Sequence, residues 1–404
     1  MTVQQQGRGY KIAMVAASPF PYPQGSQVLI GQLAAALHRR GHRVCLVAYH
    51  TGIGQPPPGV PIHRSRPVVG LGPTQAGPSW RKPLLDLLLT SELLRVVRRW
   101  EADVMHVHNF EGLLAALFVR QWTGVPVVVH VHNAMGLELH TYFHSRLGCW
   151  AGGVVGRWVD AHLPRRADYC ILLNDRAVDY FRQRGVERFR VIPPGIDFEA
   201  GAAARLRQQF GAGPLILYSG NLDRYQDLHL LLAAFRLLAT CRPDCRLILS
   251  TNAEPGPWRA QAEALGIGGQ TVFIPADDFA TVRDLLAAAD VAVCPRRSCL
   301  GFPIKLLNYM AAGRAIVVSA GSACGLRHLE NGWVVDDGDV AGMAAAIAAL
   351  LDDPALARRL GENARQTALN DYTWDRAVQA IEEIYRQVGC VLPASRSHAR
   401  GRSS

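Results

Sequence analysis

Residues Lys11-Ile12-Ala13-Met14-Val15-Ala16-Ala17 form a short apolar run, and the loop Ser18-Pro19-Phe20-Pro21-Tyr22-Pro23-Gln24-Gly25-Ser26 follows it. A helical pattern runs from Gln27 to Arg40, with Val28, Leu29, Leu33 and Leu37 near one face. Gly41 ends it, and Val44–Ala48 is a second apolar run. An apolar run of this length between turn residues reads as a buried strand. A helix joining two such strands reads as one unit of a parallel sheet. Residues 50–80, rich in Pro and Gly, read as irregular chain. Beyond them a helix is expected from Pro83 to Trp100 and strands at 103–107, 126–131 and 169–173. Pro193-Pro194-Gly195 is a strong break and closes a first domain at 1–195.

The second half repeats the pattern. Leu215–Ser219 reads as a strand, Leu228–Ala239 as a helix and Arg246–Ser250 as a strand. Helices at 257–265, 280–289 and 304–312 then alternate with strands at 271–274, 291–294 and 315–318. This second domain spans 205–372. The fold class is therefore α/β, with two Rossmann-like domains, and a chain of 404 residues exceeds the roughly 250–300 that one core serves. Open parallel sheets bind ligands beyond the C-terminal ends of their strands, so two such domains facing each other put a site in the cleft between them. A last helix, 374–388, either packs on the second domain or crosses back to the first. The basic, Ser/Arg-rich tail at 391–404 reads as disordered.

The apolar fraction of 49% and charged fraction of 19% are those of a globular chain, not of a fibre or a disordered one. The nine cysteines show no repeated metal-type spacing, and they read as reduced thiols of a cytoplasmic protein. Ile12–Ala17 is too short for a signal-peptide core, and no run approaches the roughly 18 apolar residues of a spanning helix. The formal charge is +10. Residues 1–200 hold 22 Lys and Arg against 13 Asp and Glu, which leaves +9 there and +1 in the remainder. This asymmetry serves either solubility or attraction to an anionic surface, such as the inner face of a membrane. Nucleic acid is not an expected partner, because no aromatic-basic platform or zinc-finger spacing occurs.

Several segments, in order, resemble family 4 of the retaining glycosyltransferases (glycosyl transferases group 1). They are Arg166-Ala167-Asp168, Ile171-Leu172-Leu173-Asn174, Val191 to Asp197, and Tyr218-Ser219-Gly220-Asn221-Leu222-Asp223. Ala287-Ala288-Ala289-Asp290-Val291, Gly301-Phe302-Pro303, Tyr309-Met310-Ala311-Ala312-Gly313 and Thr373-Trp374 complete the series. The resemblance covers Lys11 to about Val388. It implies a GT-B fold with the final helix returned to the N-terminal domain. It also implies a nucleotide-diphosphate sugar as co-substrate, no cofactor or required metal, and transfer with retention of configuration. The N-terminal domain would then bind the acceptor, a saccharide or lipid-linked sugar, and the C-terminal domain the donor. The reaction expected is hexosyl transfer in cell-surface polysaccharide or glycolipid synthesis. Two other readings are a non-catalytic subunit that binds a sugar nucleotide or a partner, and a phosphorylated-sugar epimerase on the same architecture.

Gly301-Phe302-Pro303 precedes the apolar helix Ile304–Met310, and such a helix N-terminus suits a diphosphate. Lys305, in its first turn, adds a full charge. The resemblance expects two glutamates here, but this chain has Leu300 and Asn308; Asn308 still suits ribose hydroxyls. It also expects an arginine and a lysine in the glycine loop after Gly220, where Asn221 and Gln226 stand. Lys305, Arg224 and the pair Arg296-Arg297 are the candidates to replace those charges. Loss of the expected charges also fits a chain that has lost catalysis. On the acceptor side stand two His-x-His pairs, His106/His108 and His130/His132. They read as near-core residues or cleft lining; no carboxylate or cysteine clusters with them to make a metal site. The resemblance implies that His132 is the active-site histidine. Gly25 and Ser26 in the first loop, with Asn109 and Glu111 after the third strand, are expected to line the cleft. Residues 135–164, apolar and aromatic with interleaved arginines, read either as a membrane-interface segment or as two helices packed on the sheet.

Overall fold

A computed structural model describes residues 9–22, 25–68, 79, 81–198, 203–276, 278–297 and 300–390. The chain divides into two compact units, 1–195 with 374–404, and 196–373. The predicted tail at 391–404 lies outside the described residues.

In the first unit the elements run β1 (Lys11–Ala16), α1 (Gly25–Arg39), β2 (Arg43–Ala48), β3 (Ile62–Arg64), α2 (Lys82–Trp100), β4 (Val104–His108) and α3 (Asn109–Thr123). They continue with β5 (Val127–Val131), α4 (Met135–Glu138), α5 (Arg146–His162), β6 (Tyr169–Leu172), α6 (Arg176–Arg182) and β7 (Phe189–Val191). The sheet order is β3-β2-β1-β4-β5-β6-β7, parallel throughout. β4 and β5 are buried at every position, their histidines included, as strands of a doubly covered sheet are. Pro83 starts α2 where its missing N–H costs nothing. Gly124, at φ 68°, ends α3 by returning its N–H to the Arg120 carbonyl.

The second unit runs α7 (Ala203–Phe210), β8 (Leu215–Ser219), α8 (Leu228–Cys241), β9 (Arg246–Thr251), α9 (Gly256–Ala264), β10 (Thr271–Pro275) and α10 (Phe279–Ala288). Then come β11 (Val291–Cys294), α11 (Ile304–Ala311), β12 (Ala315–Ser319), β13 (Trp333–Val335), α12 (Val340–Asp352) and α13 (Pro354–Asp371). Its sheet order is β10-β9-β8-β11-β12-β13, also parallel. Both orders reverse once, beside β1 and β4 and beside β8 and β11. In such sheets the crevice outside the strand ends at that reversal is where ligands bind.

The last helix, α14 (Trp374–Gln387), packs in the first unit. Its Glu382 and Tyr385 bond His42 and His106, and its Glu383 pairs with Arg190. A Cβ placed on Gly195 would lie 2.5 Å from the Trp374 nitrogen, so the chain leaves and re-enters this unit side by side.

Several expectations are corrected. Gly25 and Ser26 open α1 rather than sit in a loop, because the helix starts one turn earlier than the apolar pattern. The 50–80 stretch contributes β3, whose His63 and Arg64 carry no apolar signal. The second sheet does not end at 318: β13 adds an edge strand of three residues, and α12 and α13 follow. Among the described residues no single helix is long and apolar enough to cross a membrane.

Candidate functional site

At the reversal point of the second unit, β8 ends at Ser219 and the chain turns at Gly220, φ 137°. Only glycine enters that region freely. A Cβ there would also lie 2.7 Å from Lys305 Nζ. Lys305 lies in the first turn of α11 and reaches back into the glycine loop. Its Nζ donates to Tyr218 Oη at 2.8 Å and to Gln226 Oε1 at 2.9 Å, and stands 3.9 Å from the Tyr218 ring centre. Tyr218 Oη donates to the Asn221 carbonyl at 2.6 Å. Gln226 Nε2 donates to Asn221 Oδ1 at 2.7 Å, and Asn221 Nδ2 donates to Asp223 and Tyr225. Asn221 and Gln226, which stand where two cations were expected, are thus bonded to each other and arranged around a cation from another element. Burial raises the Tyr218 phenol well above its ordinary range, so it stays neutral and accepts from the ammonium.

The other candidates for replacing charge are placed differently. Arg297 pairs with Asp227, and the buried Arg296 guanidinium lies 4.6 Å from the Tyr225 ring centre. Arg224 is exposed in the turn before α8. Gly301 and Phe302 are buried, the Phe302 ring packed 5.4 Å from Tyr372, and Pro303 precedes α11 as its N-cap. Asn308 is half-buried one turn into the helix. Tyr218 and Tyr225 were missed from sequence. Tyr218 lies within a fully buried strand and carries no separate signal there.

In the first unit, four histidines form one buried group. Register pairs His108 with His130, so the alternate residues of β4 and β5 fall on one face of the sheet. His108 Nδ1 lies 2.9 Å from His132 Nε2, His106 Nε2 3.4 Å from His130 Nδ1, and His106 Nδ1 2.7 Å from Tyr385 Oη. Among the described residues, Nε2 of His108 and of His130 has no hydrogen-bond partner. A buried unpaired N–H is the costlier orphan, so the protons of these two rings belong on Nδ1. His108 then donates to His132 Nε2, which leaves the His132 proton on Nδ1. Burial lowers every one of these basicities, His106 to about 3 and His132 to about 4. His108 and His130 fall well below the ordinary value by burial and by their ring neighbours. All four rings are neutral at pH 7.

One ring nitrogen each of His106, His108 and His130 lies within 4.8 Å of the others, a closeness that the sequence spacing alone did not suggest. Asn109 takes a left-handed φ of 63° as α3 begins, which asparagine tolerates. Glu111 pairs with Lys82 at 3.2 Å. Gly25 is exposed, and a Cβ there would meet no atom of the described residues within 4 Å. A cavity of about 420 Å³ opens beside the ends of β1, β2 and β3, lined by Pro19, Tyr22, His50 and Arg64 among others.

Residues 24–195 match the family described as glycosyl transferase 4-like domain, and residues 205–367 match glycosyl transferases group 1. The chain is 30% identical over 298 residues to a glycogen synthase of Mycobacterium tuberculosis, covering 71% of this chain and 69% of that protein. It is 28% identical over 388 residues to a phosphatidyl-myo-inositol mannosyltransferase of Mycolicibacterium smegmatis, covering 94% of each. Sucrose-phosphate synthase from Thermosynechococcus elongatus superposes with a TM-score of 0.82 at 21% identity, covering 94% of this chain and 99% of that one. WaaG, a glycosyltransferase involved in lipopolysaccharide biosynthesis, superposes at 0.70 with 18% identity, covering 92% and 99%. The fold is GT-B. With two matching family profiles and a curated relative at 30% identity, the chain belongs to the glycosyl transferases group 1 family and is a glycosyltransferase.

Proposed function

We propose that the chain moves a hexosyl-type sugar from a nucleotide-diphosphate sugar to a saccharide or lipid-linked acceptor, with retention of configuration and without a required metal. The reaction serves polysaccharide or glycolipid synthesis, at an anionic membrane surface when the acceptor is lipid-linked. The observation that carries this reading is Lys305. It supplies one ammonium at the glycine loop and helix terminus where the departing diphosphate needs neutralising. His132, neutral and with its proton on Nδ1, is a donor for the transferred sugar or the leaving phosphate. Asn308 meets the ribose. The chain's share in the chemistry is positioning and stabilisation of charge on the leaving group.

The test is a thermal-shift screen with nucleoside diphosphates, followed by transfer assays over a panel of nucleotide sugars. A ligand bound only by the folded chain raises the melting temperature. One base should stand out and its sugar nucleotide should be consumed. No shift with any nucleoside diphosphate would overturn the donor assignment. Leu300 and Asn308, in place of two carboxylates, favour a second reading, a non-catalytic sugar-nucleotide-binding subunit. A stabilising nucleotide without turnover of any donor would select it.

A further inference from the structure

α5 is built inside out. Its Gly152, Gly153 and Gly156 are buried, while its bulky apolar residues face solvent. A Cβ on Gly156 would come within 2.3 Å of the Met135 carbonyl oxygen, and one on Gly152 within 2.8 Å of the Phe143 ring. The packed side of α5 is therefore nearly bare backbone against α4 and the turn after it. Leu147, Trp150, Val154 and Trp158 recur at helical spacing on the other side, exposed by 73, 65, 39 and 55%. A helix that only covers a sheet buries such residues, because apolar surface kept in water forfeits the gain of burial. Contiguous exposed apolar surface of this kind marks a docking face.

Two features name the occupant. The first is charge. Arg146, Arg157, Arg165 and Arg166 are exposed around this helix. The acid within it, Asp160, is turned inward, accepting from the Met135 and Gly136 N–H groups and from Tyr180. The second is the neighbouring layer. The crossovers β3 to β4, β4 to β5 and β5 to β6 run the same way across the sheet, so their right-handedness puts α2, α3 and α5 on one face. α3 carries its own outward stripe there, Leu114, Phe118 and Trp122, each more than half exposed. Tryptophan and leucine flanked by arginine suit the level where acyl chains meet phosphate headgroups. α5 has 17 residues, about 25 Å of helix, too short to cross and long enough to lie in that plane.

We propose that the outward face of α5, extended by the stripe on α3, docks the first unit on an anionic lipid bilayer. The proposal deepens the reading of a lipid-linked acceptor given above and is tested apart from it. The full chain is mixed with vesicles of neutral phosphatidylcholine, or of the same lipid with an anionic phospholipid added, at low and high salt. Flotation is expected with anionic vesicles at low salt, weakening as salt rises, together with a blue shift of tryptophan emission. Replacing both Trp150→Ser and Trp158→Ser should lower partition by about tenfold or more, and Arg157→Glu should lower it most at low salt. These side chains are exposed, so melting temperature and nucleoside diphosphate binding should not change. Absence of flotation at low salt, or equal flotation of parent and variants, overturns the proposal. So does a parent that is dimeric by light scattering beside a monomeric double-tryptophan variant, since the face would then join copies of this chain. Failure of donor binding in the parent would remove the transferase reading and leave the vesicle result standing.

Discussion

Lys305 is the residue on which the donor chemistry turns. It is held by a neutral phenol and an amide, and the Asp223 carboxylate lies close enough to feel its charge. Lys305→Ala should weaken nucleoside diphosphate binding by about tenfold or more, and the difference should shrink as salt screens the pair. It should also cost the fold about 1–3 kcal/mol, because Tyr218 and Gln226 lose a buried partner. Calorimetric titration and thermal melts measure both, and an unchanged dissociation constant removes Lys305 from the site. Gly220→Ala should mimic part of this loss, since its Cβ meets the ammonium in a backbone region that alanine rarely enters. The lysine was legible in sequence because it sits at a helix start. Gln226 was legible too, as the position where a lysine was expected, but Tyr218 was not, because it lies 87 residues away in a buried strand and only the sheet order brings it to the lysine. The left-handed Asn109 and the pairing of Glu111 with Lys82 likewise depend on contacts that spacing does not carry.

At the scale of elements, the α4–α5 hairpin depends on glycine. Gly156→Val should force the two helices apart, because the obstructing atom is a backbone oxygen that cannot rotate away. The expected cost is about 1–3 kcal/mol, with faster proteolysis within 135–162. A melt and digest like the parent's would show that the close approach is dispensable. Sequence left two readings of this segment because an apolar stripe reads alike whether it faces in or out. The buried glycines show that the bulky stripe of α5 faces out. Long strand–helix alternation was legible, since β1, β4, β5, β8 and β11 are mostly apolar and buried nearly throughout. β3 and β13, three residues each at sheet edges, carry too little pattern to be read.

At the scale of the whole molecule, the two units have separate handles. The four buried histidines are held neutral in the first. Well above pH 6.5 neither the folded nor the unfolded chain protonates them, and no stability is lost through them. As pH falls below 6.5 the unfolded chain takes up protons that the fold refuses until about pH 4 for His132 and about 3 for His106. Stability is lost across that window, by up to about 1.4 kcal/mol per pH unit for each of these two. Scanning calorimetry should show acid lowering the transition of the first unit and a nucleoside diphosphate raising that of the second. A His130→Gln variant should flatten the pH slope. A slope that stays flat between pH 6.5 and 5 in the parent would refute the linkage.

The adjacency of Gly195 and Trp374 makes residues 196–373 an insertion in an otherwise continuous domain. Excision becomes a practical operation. Joining Gly195 to Trp374 through one or two glycines should give a shortened polypeptide of about 225 residues that keeps β1 to β7 and α14 and folds unaided. It should retain the acid-sensitive transition and bind no nucleotide. A product that melts without cooperativity would mean that the excised segment is needed for the remainder to fold.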